Sequence, residues 1–123
     1  MQYSPFVLFH VADPPASARW YARLLDQPAV EASPTFALFA LGAGAMLGLW
    51  RRDTVQPPAY AAPGASELAL AVPGRDAVDS LHARWQALGC TVLQPPTAMD
   101  FGYTFTVCDP DGHRVRVFAP EGP

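Results

Sequence analysis

The feature that most constrains this chain is that it repeats itself. Setting "LFHVADPPASARWYARLL" (residues 8–25) over "LALAVPGRDAVDSLHARWQAL" (residues 68–88) matches an apolar run, a turn and a helical stripe. Val11 falls on Val72 and Tyr21 near Arg84, within a slip of about two residues. The period of about 60 residues is longer than a solenoid repeat, and two copies are too few for an array. The duplication therefore predicts paired modules. With 123 residues in all, they must share one domain's worth of core.

Local signals give each module its plan. "YSPFVLFHV" is a β-branched and aromatic run ending at "ADPP", where Asp13 can cap a helix whose first turn accepts Pro14 and Pro15. Trp20, Tyr21, Leu24 and Leu25 recur at helical spacing, and the helix is expected to stop near Pro28. "AVEAS", "TFALFAL" and "AMLGLWRR" read as three short strands. "SELALAV" restarts the pattern, followed by a helix with Val78, Leu81, Trp85 and Leu88 on one face and Gly89 as its stop. "CTVLQPP", "YTFTVCD" and "HRVRVFA" supply three more strands. The expected fold is α+β: two βαβββ modules, 1–51 and 65–120, joined by a proline-rich linker over 52–64 and building a curved mixed sheet with a concave cleft.

Composition excludes several classes of function. Eight basic and eleven acidic residues give a net charge of −3 with no basic run, so no nucleic-acid or anionic-membrane footprint exists. The start of the chain lacks the pattern of a signal peptide, and no uninterrupted apolar run approaches 18 residues, which predicts a cytoplasmic protein. Cys90 and Cys108 have the spacing of neither a metal site nor a disulfide framework and read as structural thiols. Of the fourteen prolines, eight gather at 14–15, 57–58, 63, 73 and 95–96, where they mark element boundaries.

The duplicated βαβββ plan, the opening "HVADPPASARWYARLL" and the closing "FGYTFTVCDPDGHRVRVF" resemble the vicinal oxygen chelate superfamily of glyoxalase I, extradiol dioxygenases and bleomycin-resistance proteins. Asp-Pro-Asp-Gly by itself is only a good turn, in which Asp109 and Asp111 form the corner and His113 its exposed shoulder. Metal-dependent members hold a divalent ion at four cleft positions, and the resemblance maps these onto Phe6, Gly48, Glu67 and Arg116. Only Glu67 is a possible ligand, and an arginine repels the ion, so neither metal nor cofactor is expected. His82 and His113 share no ligand spacing and read as solvated surface residues.

Strand alternation then fills the cleft. If Phe6 faces it, so do Leu8 and His10, with Met46, Gly48 and Trp50 from the fourth strand, and Glu67, Ala69 and Ala71 from the fifth. Arg114, Arg116 and Phe118 follow from the last strand, joined by Tyr103 and Phe105. Small Gly48 and Ala69 leave room for a guest. Glu67 and Arg116 either pair with each other or contact ligand. The expected ligand-binding set is Phe6, His10, Phe36, Met46, Trp50, Glu67, Tyr103, Arg116 and Phe118.

The resemblance is greatest to the metal-free antibiotic-binding branch of the superfamily, and implies a homodimer with exchanged modules in which residues 36–39 reach the partner's ligand. The function expected is metal-independent binding and sequestration of a planar aromatic or hydrophobic small molecule. The alternative is a metal-independent glyoxalase-like lyase or isomerase with His10 or Glu67 as base, which for Glu67 needs a raised pKa that Arg116 opposes.

Overall fold

The computed structural model describes residues 1–121. It comprises two helices, a 3₁₀ turn (Arg52–Thr54) and eight strands in two four-stranded mixed sheets, divided between two compact units, Met1–Ala61 and Ala62–Pro123. Among the described residues no helix is long and apolar enough to cross a membrane.

Module one runs β1 (Phe6–Val11), α1 (Pro14–Leu25), β2 (Glu31–Ala32), β3 (Phe36–Gly42) and β4 (Ala45–Arg51), in the sheet order β1-β4-β3-β2. β1 pairs parallel with β4, and the others pair antiparallel. Asp13 caps α1 by accepting from the Ala16 amide at 3.3 Å, with Pro14 and Pro15 in the first turn where amide hydrogens are not needed. The helix ends at Leu25, earlier than Pro28, because Asp26 turns left-handed at φ 53°. Tyr21 and Leu24 are buried, as are Phe9, Val11, Ala37, Phe39, Leu47 and Leu49 of the sheet, and the Tyr21 ring meets that of Phe39. Each fully buried large apolar side chain among these contributes about 1.5–3 kcal/mol.

Module two repeats the order with β5 (Glu67–Ala71), α2 (Arg75–Ala87), β6 (Thr91–Met99), β7 (Gly102–Cys108) and β8 (Arg114–Pro120), arranged β5-β8-β7-β6. β5 pairs parallel with β8, as β1 does with β4, so the duplication read in the sequence is a duplication of topology. Trp85 and Val78 of α2 bury against Phe105, Val107, Val115 and Val117, and Gly89, at φ 88°, closes the helix.

Two boundaries differ from expectation. β2 is only two residues long, and β6 runs straight through Pro95 and Pro96 instead of ending there. β6 is an edge strand, where a missing amide costs little, and its pairing with β7 shifts register around the prolines.

Candidate functional site

Each sheet has one face covered by its own helix and one open. On the open face of module one the registers Phe6↔Met46↔Ala40, Leu8↔Gly48↔Leu38 and His10↔Trp50↔Phe36 form three rows across β1, β4 and β3. Phe6, His10, Phe36, Met46 and Trp50 thus share a face, as alternation requires. The last row is aromatic throughout, with His10 edge-on to Trp50 at a centroid distance of 6.1 Å. Phe6 and Leu8 remain 54% and 45% exposed, which is far from the fate of a core strand.

Two expectations for this face are corrected. Gly48 leaves no room: a Cβ there would lie 2.7 Å from Leu8 Cδ2 and 2.9 Å from Phe36 Cζ, so those two side chains already close over the glycine. Phe39 cannot reach a ligand, because it is fully buried beneath α1, 6.3 Å from the Tyr21 ring. A shallow apolar groove of about 500 Å³ opens instead on the helix side, between α1 and the β2–β3 edge. None of the nine residues of the expected ligand-binding set lines it, although Ala37, from the 36–39 stretch, does.

The open face of module two carries charge. Its rows are Glu67↔Arg114↔Cys108, Ala69↔Arg116↔Thr106 and Ala71↔Phe118↔Thr104. Arg116 grips Glu67 with two parallel bonds, Nε to Oε2 at 2.7 Å and Nη2 to Oε1 at 3.0 Å, the fork geometry that suits a guanidinium and a carboxylate. Its Nη1 donates to Gln94 Oε1 at 3.1 Å and Thr104 Oγ1 at 3.2 Å, and its carbon lies 5.8 Å from the Phe101 ring centroid. Arg114 Nε is 3.1 Å from Glu67 Oε1, but off the hydrogen-bond axis, so charge attraction alone joins them. The Arg116 bonds hold the Glu67 carboxyl below its ordinary value against desolvation, with added attraction from both arginines. A carboxylate held in this ion pair is a weaker proton acceptor than one poised as a general base.

Tyr103 and Phe105 do not belong to this face. Phe105 is buried under α2, 5.3 Å from the Trp85 ring, and Tyr103 donates to Asp79 of α2 at 2.8 Å while Arg75 lies over its ring at 4.5 Å. The phase of β7 is reversed from expectation, because the side that receives Trp85 must be the apolar one. The face signal was present in "YTFTV": its threonines, not its aromatics, suit a charged neighbourhood. Sequence reasoning missed Gln94, Thr104 and Phe101 for the same reason. His113 is also buried, and His82 packs edge-on to Phe105 at 5.4 Å, so neither is the solvated residue expected. Asp109 and Asp111 do form the corner: Asp109 Oδ1 accepts from the Asp111 and His113 amides at 2.9 and 2.8 Å.

The positions that hold a divalent ion in metal-dependent glyoxalase-type proteins do not fit one here. Phe6 and Gly48 offer no donor atom, and both oxygens of Glu67 are engaged by Arg116. Among the described residues no three His, Cys, Asp or Glu side chains cluster as ligands.

Comparison with known proteins agrees with this architecture. The chain is 27% identical over 113 residues to the phenazine antibiotic resistance protein EhpR of Enterobacter agglomerans, covering 89% of this chain and 86% of that one. A protein from Agrobacterium tumefaciens with a solution NMR structure is 48% identical and superposes with a TM-score of 0.87 over 99% of this chain and 100% of that chain. A glyoxalase-related enzyme from Fulvimarina pelagi is 27% identical, with a TM-score of 0.83 over 97% of this chain and 88% of its own. The model of the Glyoxalase/Bleomycin resistance protein/Dioxygenase superfamily matches residues 5–117, nearly the whole duplicated frame. The chain belongs to that superfamily.

Proposed function

We propose that the protein binds and sequesters a planar aromatic or hydrophobic small molecule of the antibiotic type, as a cytoplasmic homodimer and without a metal ion. The observation that carries this reading is the aromatic row His10–Trp50–Phe36, flanked by exposed Phe6 and Leu8 on a sheet face that the module's own helix does not cover. Rigid rings presented on strands suit flat guests, which bind by offset or edge contact at small entropic cost. The likeness to a phenazine antibiotic resistance protein supports the same class of guest. The ion pair of Glu67 with Arg116 favours the binding reading over the metal-independent lyase, whose candidate bases are His10 and Glu67.

Titration with a panel of phenazines and other planar antibiotics, followed by tryptophan fluorescence, tests the proposal. Saturable quenching is expected, at least tenfold weaker in Trp50→Ala, with Trp20 and Trp85 as the residual emitters. A flat response across the panel removes support for sequestration. Mass spectrometry of the incubated ligands separates binding from turnover: intact recovery at all times is expected, and a new product mass points to an enzyme.

A further inference from the structure

The two arginines on the open face of module two are not equivalent. Arg116 commits Nε, one Nη2 hydrogen and both Nη1 hydrogens to Glu67, Gln94 and Thr104, leaving one of a guanidinium's five N–H groups. Its side chain is 14% exposed, so it forms floor rather than contact surface. Among the described residues Arg114 has only its off-axis approach to Glu67, and its side chain is 37% exposed. One carboxylate faces two guanidinium groups, and Arg116 takes both of its oxygens. Arg114 Nε is buried without a hydrogen-bond partner, and so is the Thr106 hydroxyl on the neighbouring strand, one diagonal step away. The corner therefore holds a surplus positive charge, with Arg114 Nε close to Glu67 but outside hydrogen-bond geometry and the Thr106 hydroxyl without a partner among the described residues.

We propose that this corner is a carboxylate-binding subsite centred on Arg114, and that the guest is an aromatic acid. The face supplies the rest of such a molecule's contacts. Four residues along β8 from Arg114, about 13 Å at strand rise, Phe118 meets the ring of Phe101 edge-on at 5.9 Å. Between the two ends lies the exposed methyl of Ala69, above a floor formed by the ion-paired guanidinium of Arg116 beneath the Phe101 ring. The span suits a body of about two to three fused rings with its carboxylate at one end. A neutral ring would leave the Arg114 corner unanswered. The proposal rests on the binding reading above for its aromatic guest, while the anion subsite stands on module two alone.

Calorimetric titration with phenazine-1-carboxylate and unsubstituted phenazine tests it. The acid is expected to bind at least tenfold more tightly than the neutral compound, with the margin shrinking as salt is raised. Arg114→Gln should abolish the margin while leaving phenazine affinity unchanged, and Arg114→Lys should keep part of it. Equal affinity for the two compounds, or a margin that survives Arg114→Gln in a variant of unchanged melting temperature, overturns the subsite and leaves the sequestration reading standing. If neither phenazine binds, that reading is what fails, and benzoate followed through the Arg114 Nε–Hε resonance decides the subsite. A saturable shift of that resonance, with the Arg116 Nε–Hε resonance left in place, upholds it; an unmoved Arg114 resonance overturns it.

Discussion

Arg116 stands where metal-binding relatives carry a glutamate, and what replaces the metal is a second protein charge: the guanidinium closes on Glu67 as a divalent ion otherwise would. The consequence is measurable in acid. A carboxyl whose folded pKa lies below its ordinary value near 4.5 contributes stability that is complete above that value and is lost as pH falls through the lowered one. The wild-type melting temperature should therefore decline below pH 4.5 more steeply than that of Glu67→Gln, and the variant should be about 1–3 kcal/mol less stable at pH 7, where it leaves two arginines without their carboxylate. Identical acid limbs in the two proteins would show that the pair carries no stability. Gly48 makes a second residue-scale point. Its missing side chain was legible, but its consequence was not, since only the fold shows that Leu8 and Phe36 fill the space. Gly48→Ala should cost about 1 kcal/mol in chemical denaturation by turning those two side chains outward, and should weaken ligand quenching of Trp50 with them.

At the scale of elements, capping and turn chemistry were read correctly because they are local. Asp13 with two prolines starts α1, and Asp-Pro-Asp-Gly makes the corner into β8, whatever the rest of the chain does. Asp109→Ala removes two amide partners inside a buried turn and should lower stability by about 2 kcal/mol in urea denaturation; an unchanged midpoint would mean the backbone bonds of the turn suffice. The phase of β7 was misread. In "YTFTV" the threonines suit the charged side, but the two aromatics were assigned to the cleft because no local pattern says which side meets the helix. The presence of Trp85 above Phe105 settles it, and that contact spans twenty residues of sequence. β6 teaches the same lesson: a double proline is a boundary in a central strand and tolerable on an edge, and edge position belongs to the sheet.

For the whole molecule, the proposed homodimer makes its own prediction. Light scattering should give a mass near twice 13.2 kDa, at protein concentrations where a second chain is available. A monomer at every concentration would remove module exchange from the reading. The repeat, and everything that follows from period and turn, is legible in the sequence: two βαβββ units, the helical stripes, and the strand alternation that aligns Phe6 with His10 and Met46 with Trp50. Which charged groups are spent on one another, and which are spare, follows from the packing alone. Glu67 lies forty-nine residues from Arg116 and forty-seven from Arg114, and no local pattern ranks the two arginines. The parallel pairing of β5 with β8 places both within reach of one carboxylate, and side-chain geometry on that face gives it to Arg116.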